Sequence, residues 1–62
     1  MTSYRMYVFD AQNHIETRHD LAAPDDLSAL EQAKALASES IRELWKGARL
    51  IARIGHDGEA VP

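Results

Sequence analysis

Cysteine is absent from this chain of 62 residues, and its absence excludes both a disulfide framework and a thiolate metal site. Glycine and proline are scarce, at 3 and 2 residues, while 45% of the residues are hydrophobic, which favours a folded globule over a disordered chain. The sequence also lacks an apolar run near the roughly 18–20 residues that a membrane span needs, and its first residues lack the apolar core of a signal peptide. We therefore expect a cytoplasmic protein with no membrane segment.

The short chain creates a stability problem. A single domain of 62 residues buries only about 60% of the surface that its unfolded chain exposes, so it is marginally stable alone. Small domains gain further stability from disulfides, a bound metal or oligomerisation. Disulfides are excluded here and candidate metal ligands are few, so we expect a homodimer.

Charge is unevenly distributed along the chain, whose net charge is −3. Residues 1–31 carry 2 basic and 6 acidic side chains, whereas residues 32–62 carry 5 basic and 4 acidic ones. Two regions of opposite charge can pair within one chain or between two chains.

Residues 4–9 have the aromatic and β-branched composition of a strand. Alternate positions of a strand point to opposite faces, and here either face is apolar enough for the core. One face carries Tyr4, Met6 and Val8, and the other carries Tyr7 and Phe9.

A turn and a second strand follow. Asp10 suits the first position of a turn, and Asn13 tolerates the left-handed conformation that closes a hairpin. Residues 14–21 alternate polar and apolar side chains, which predicts a more polar strand at or near a sheet edge.

A helix is predicted after Pro24, which cannot continue a strand ladder. Asp25 or Asp26 can cap its first turn, and a capping box of Ser28 with Glu31 is an alternative start. The apolar stripe of this helix is formed by Leu27, Leu30, Ala33 and Ala37.

The segment 38–47 is compatible with two structures. Ile41, Leu44 and Trp45 lie at helical spacing, so the helix could continue to Lys46 with Gly47 as its C-terminal cap. Alternatively, the helix ends near Ser38, and residues 41–45 and 48–54 form a second hairpin. The local pattern leaves both structures open.

Four motifs follow one another over residues 4–54: Tyr4-Arg5-Met6-Tyr7, a turn from Asp10 to His14-Ile15, the pair Asp25-Asp26, and Glu43-Leu44-Trp45-Lys46-Gly47-Ala48-Arg49-Leu50-Ile51-Ala52-Arg53. This order resembles a group of short, functionally uncharacterised bacterial proteins that share a domain of unknown function. The resemblance implies a strand rather than a helix before Trp45 and a left-handed turn residue at Asn13. It implies no activity and no cofactor.

We therefore expect an α+β domain over residues 1–54, with the order ββαββ and one helix packed on a four-stranded, mostly antiparallel sheet. Residues 55–62 are expected to form a flexible tail. The register of the second hairpin stays open at this point. A two-residue loop pairs Trp45 with Ala48, whereas a three-residue loop pairs Leu44 with Ala48 and sets Glu43 opposite Arg49.

No pattern of residues indicates catalysis or metal binding. His14, His19 and His56 lack the spacing of a ligand set, and no phosphate-binding loop or nucleophile motif is present. We expect no enzyme activity, no metal and no cofactor.

The candidate binding surface combines Trp45 with four basic side chains: Arg42, Lys46, Arg49 and Arg53. An aromatic ring among guanidinium groups can stack on a base or hold an acidic partner. The net charge of −3 argues against nucleic acid, since nucleic-acid-binding domains are usually basic. We expect a non-catalytic protein-interaction module, homodimeric through an open sheet face or an edge strand. The alternative is an accessory nucleic-acid-binding or antitoxin-like protein that uses residues 42–53.

Overall fold

The computed structural model describes residues 1–36 and 39–61, in which one antiparallel sheet carries a single helix on one face. The strands lie in the order β2-β1-β3-β4-β5 across the sheet. These observations confirm the α+β class, but the sheet has five strands rather than the four predicted. The elements are β1 (Thr2–Phe9), β2 (Ile15–Ala23), α1 (Asp26–Ala35), β3 (Ile41–Lys46), β4 (Arg49–Ile54) and β5 (Ala60–Val61).

The fifth strand lies in the segment that was expected to be a flexible tail. Ala60 pairs with Ile54, and Val61 pairs with Arg53. The connecting turn is closed by a backbone hydrogen bond of 3.0 Å from the N–H of Gly55 to the carbonyl of Glu59. The prediction of a free tail is therefore corrected for this strand, which lengthens the sheet on the β4 side.

The first hairpin turns as its residues predict. The Asp10 carboxylate accepts hydrogen bonds of 2.9 Å from the backbone N–H groups of Gln12 and His14. Asn13 has φ 65°, which confirms the left-handed conformation expected at this position. The strand that follows, β2, lies at the edge of the sheet as predicted.

The second hairpin differs from both registers considered from the sequence. Its loop consists of Gly47 and Ala48, and it joins Lys46 directly to its partner Arg49. A two-residue loop with a positive φ only at its first position, here Gly47 with φ +59°, matches the twist of antiparallel strands. A register shift between Leu44 and Trp45 follows, so Glu43 faces Arg53 rather than Arg49.

The helix begins and ends where capping groups are available. Asp25 accepts a hydrogen bond of 2.8 Å from the N–H of Ser28, which satisfies one of the free amides of the first turn. The helix ends at Ala35, which confirms the hairpin interpretation of the segment 41–54 over a longer helix. Two predicted positions, Ala37 on the stripe and Ser38 at the helix end, lie outside the described residues.

Small residues, rather than the leucines, form the centre of the helix–sheet contact. Ala29 and Ala33 are fully buried one helical turn apart, whereas Leu27, placed in the stripe by its spacing, is 68% exposed. Leu30 is partly buried against the core, as predicted. Two alanines let the helix axis approach the sheet closely, and that approach leaves Leu27 beyond the contact.

The sheet has a covered face and an open face. Tyr4, Met6 and Val8 of β1 are buried beneath the helix, which decides between the two faces that the sequence left open. Strand register places the alternate side chains on the other side of the sheet, where no element of residues 1–36 or 39–61 packs. We call this side the open face; it carries Arg5, Tyr7, Phe9, Arg18, Asp20, Glu43, Trp45, Leu50 and Arg53.

Candidate functional site

The structure does not bring the five predicted binding residues onto one surface. Trp45 and Arg53 lie on the open face, whereas Lys46 and Arg49 point to the helix side of the sheet. Arg42 belongs to the covered face and is fully buried. The basic hairpin predicted from the sequence is therefore divided among three environments.

The prediction that Arg42 belongs to a binding surface is wrong, because its side chain is buried and supports the fold. Its guanidinium group donates five hydrogen bonds of 2.9 to 3.3 Å, all to backbone carbonyl groups. The acceptors belong to Ala33, Lys34, Leu36, Ser40 and Gly55.

The position of Arg42 has a physical cause in the end of α1. The last carbonyl groups of a helix have no partner within the helix and carry the negative end of its dipole. A guanidinium group offers five N–H donors and stays charged, so it can satisfy several of these carbonyls at once. Burial lowers the pKa of Arg42 from its usual value. The sequence signal was its parity, because Arg42 lies two residues before the buried Leu44 and therefore shares its face of β3.

A second polar cluster lies at the start of α1. The Tyr4 hydroxyl donates a hydrogen bond of 2.7 Å to Oδ1 of Asp26, and Arg49 donates one of 2.9 Å to Oδ2. The hydrogen bond to Asp26 raises the pKa of Tyr4 to about 12. The same hydrogen bond, assisted by Arg49 and Lys46, lowers the pKa of Asp26. Each oxygen of Asp26 thus accepts one hydrogen bond, and the two bonds connect β1 and β4 to the start of α1.

The centre of the open face is an aromatic and ionic cluster. Glu43 accepts a hydrogen bond of 3.1 Å from the indole Nε1 of Trp45 with one oxygen, and it pairs with Arg53 through the other. The Arg53 guanidinium carbon lies 5.6 Å from the centroid of the Phe9 ring, at cation–π distance. Trp45, Phe9 and the neighbouring Tyr7 are all half-buried. No helix or strand of residues 1–36 and 39–61 packs over these three rings.

Charges on the open face are nearly balanced. Arg53 is neutralised by Glu43, and Arg5 lies 3.5 Å from Asp20. Arg18 lies on β2 opposite Tyr7 of β1 and is exposed. It takes part in none of the ion pairs found among residues 1–36 and 39–61. Among the described residues, the open face therefore carries no cluster of unpaired cations of the kind that phosphate contacts use.

An apolar groove of about 310 Å³ lies on the other side of the sheet, between α1 and β4. It is lined by Leu27, Leu30 and Ile51, with Ala60 of β5 at one end. The one carboxylate at its rim, Asp26, is already held by Tyr4 and Arg49. Apart from Asp26, the side chains that line the groove in the described part of the chain are apolar.

Metal and membrane sites find no geometric support within the described part of the chain. No three side chains of His, Cys, Asp or Glu are grouped there as a metal would need. His14 lies in the first turn, His19 lies on β2, and His56 Nδ1 is 2.8 Å from the carbonyl oxygen of Glu39. Of the helices in the same residues, none is long and apolar enough to cross a membrane.

Comparison with protein-family models, curated proteins and solved structures finds no match to this chain. The resemblance to short bacterial proteins therefore stays a prediction based on the four sequence motifs.

Proposed function

We propose that this chain is a small, cytoplasmic, non-catalytic protein-interaction module that self-associates through its open sheet face or through an edge strand. The observation that carries the proposal is the one-sided covering of the sheet. One helix of ten residues covers one face of a sheet of five strands, and the other face keeps its aromatic side chains at the surface.

The composition of the open face supports an interaction with protein. Aromatic residues and arginine are enriched at the centres of protein interfaces, and lysine is depleted. Trp45, Tyr7 and Phe9 meet this description, with Arg53 stacked beside them. Glu43 already restricts the side chains of Trp45 and Arg53 in the free chain. Little side-chain entropy would therefore be lost when a partner covers them.

The alternative of nucleic-acid binding has weaker support from the geometry. Arg42 is buried, Arg49 pairs with Asp26, and Arg53 pairs with Glu43, so the basic residues of 42–53 form no continuous positive surface. Binding of a labelled oligonucleotide at low salt, reduced by Arg53→Ala or Arg49→Ala and abolished by added salt, would favour the alternative. We expect no such binding.

Mass in solution tests self-association directly. We expect sedimentation or light scattering to give twice 6.9 kDa at high concentration, with dissociation on dilution. A mass of 6.9 kDa at every concentration would contradict the proposal. If the open face is the interface, Leu50→Asp on that face should weaken self-association, and Leu27→Asp on the helix should not. Both leucines are exposed, at 39% and 68%, so neither change should unfold the domain.

A further inference from the structure

The outer edge of β2 is the longer of the two free edges of the sheet. β2 has nine residues and lies at the end of the strand order, with β1 as its only neighbour in the described part of the chain. A strand with one neighbour keeps half of its backbone N–H and C=O groups on the outer side, where they can pair with another strand.

Two hydrogen bonds show which residues of β2 direct their backbone groups outward. The carbonyl of Ala22 accepts a hydrogen bond of 3.0 Å from Gln32 of the helix, so it points away from β1. In the turn, the N–H of Asp10 donates to the carbonyl of His14. The backbone N–H and C=O groups of the even-numbered residues of β1 therefore point toward β2. Their partners on β2 are Thr17, His19 and Leu21. Because backbone direction alternates along a strand, Arg18 and Asp20 direct their N–H and C=O groups to the free edge.

The part of this edge that can accept a strand is bounded at both ends. A register shift leaves Glu16 without an opposite residue on β1, since Val8 pairs with Thr17 and Phe9 pairs with Ile15. At the other end, Gln32 occupies the carbonyl of Ala22. The regular and unoccupied segment is therefore 17–21, and its centre is His19.

We propose that a second copy of this chain pairs with this segment, antiparallel and about a two-fold axis at His19. This proposal rests on the proposed self-association and names the edge that carries it. In this register His19 faces His19 of the second copy, Thr17 faces Leu21, and Arg18 faces Asp20. The last pair occurs twice by symmetry, and opposite charges facing each other across antiparallel strands are stabilising.

Charge distinguishes this register from its neighbours. Side chains keep to their own faces only if the register changes by two residues at a time. Moving the axis to Arg18 would set that arginine against its own copy and Glu16 against Asp20. Moving it to Asp20 would set that carboxylate against its own copy and leave Arg18 opposite Ala22. Like charges directly opposite are destabilising, so the axis at His19 is favoured over both.

The side chains at this edge are available for the pairing. Arg18 is exposed and takes part in no ion pair observed in residues 1–36 and 39–61, while Asp20 is 71% exposed and has only a contact of 3.5 Å with Arg5. In the dimer, each Asp20 would lie between its own Arg5 and Arg18 of the other copy. The two sheets would become continuous, with both helices on one side and both open faces on the other.

Charge reversal tests the register. Arg18→Asp gives two acidic residues at the edge and Asp20→Arg gives two basic ones, so each single variant should weaken its own dimer by tenfold or more. Mixing the two single variants should give a heterodimer, and the double variant Arg18→Asp/Asp20→Arg should recover the homodimer. The double variant has the wild-type composition, and circular dichroism of each variant reports whether it is folded.

A cysteine crosslink tests the axis independently, because the chain contains no cysteine of its own. Residues that face each other in a non-hydrogen-bonded antiparallel pair have Cα atoms about 4.5 Å apart, a separation that a disulfide spans. His19→Cys should therefore form a covalent dimer under mild oxidation. Thr17→Cys is the matched control, since its two copies would be about 14 Å apart along the strands and should remain reduced.

The outcomes separate this proposal from the broader one. A dimer that ignores the charge reversals and does not crosslink at position 19 would overturn the β2 register, and self-association through another surface would stand. A wild-type chain that is monomeric at every concentration would overturn both.

Discussion

Arg42 on the covered face of the sheet and Arg53 on the open face have different roles. Arg42 on the covered face is fully buried and donates only to backbone carbonyl groups. Arg53, on the adjacent strand, is 43% exposed at its side chain and binds the carboxylate of Glu43 above the Phe9 ring. The same group thus completes the fold on one face and forms part of a surface on the other.

The difference lies in the partners rather than in the guanidinium group. Backbone carbonyls at a helix end are fixed in place, and leaving them buried without a donor costs free energy. The Arg53 side chain is 43% exposed and can be hydrated in place of its ion pair with Glu43, so that pair contributes less. Substitutions on the two faces should therefore differ in their effect on stability far more than the side chains differ in size.

The largest expected effect is that of Arg42→Met. It removes the donors of five carbonyl groups, and each carbonyl left unsatisfied costs about 1–3 kcal/mol when water cannot replace the donor. We expect a loss of at least about 3 kcal/mol in the free energy of unfolding. Urea denaturation followed by Trp45 fluorescence measures it. Arg53→Met is the matched control, and a loss of similar size there would contradict the comparison of the faces.

The next largest loss of stability is expected when a leucine on the covered face is truncated, in comparison with one on the open face. Leu44→Ala removes a fully buried side chain and should cost about 2–5 kcal/mol through lost burial and the cavity that remains. Leu50→Ala, whose side chain is 39% exposed, should cost less than half as much. Equal losses in thermal or urea unfolding would show that the open face is covered in solution.

A smaller loss of stability is expected at high pH, where the Tyr4 hydroxyl at the edge of the covered face loses its proton. Folding raises the pKa of Tyr4 from 10.0 to about 12, because its hydroxyl donates to Asp26. A raised pKa contributes stability that is complete below the unfolded value and is lost as pH rises through the folded one. The wild-type chain should therefore lose stability between pH 10 and about 12 relative to Tyr4→Phe. Parallel curves for the two chains over this range would contradict the assigned hydrogen bond.

The smallest effect is that of Glu43→Gln on the open face. Gln keeps an acceptor for Trp45 and removes the charge that faces Arg53. Since Arg53 can remain hydrated, we expect a loss of less than about 1 kcal/mol in the free energy of unfolding. A loss comparable to that of Leu44→Ala would mean that the ion pair is buried in an assembled form.

Local chemistry predicted the first turn and the region of the helix start, because these depend on residues close in sequence. Asp10 and Asn13 identified the first turn. The helix start was left between Asp25, Asp26 and Ser28, and the structure shows Asp25 as the cap. The strand alternation was also visible, but alternation alone does not tell which face a helix will cover. That choice depends on contacts between β1 and α1, which are separated by another strand.

The errors arise from packing at longer range. The stripe pattern gives Leu27 and Ala33 equal standing, and only a close helix–sheet approach favours the alanines Ala29 and Ala33. A register shift in the second hairpin moved Arg53 opposite Glu43, which spacing from the turn could not show. A strand of two residues, β5, has no periodicity to detect. For the candidate site, Trp45 and Arg53 do lie together on the open face. Arg42 shares the strand parity of the buried Leu44, but the carbonyl groups that hold it belong to the helix and to the turn at Gly55, and the local pattern does not show them.

Through one side chain, Arg42 connects parts of the chain that are distant in sequence: the last turn of the helix, the backbone at Ser40 and the start of the turn before β5 at Gly55. These parts share a donor, so the release of one exposes the acceptors of the others. Amide hydrogen exchange should therefore find the helix end and β5 opening as a single cooperative unit, with a common free energy below that of global unfolding. The short C-terminal strand would then be as long-lived as the helix to which this arginine joins it.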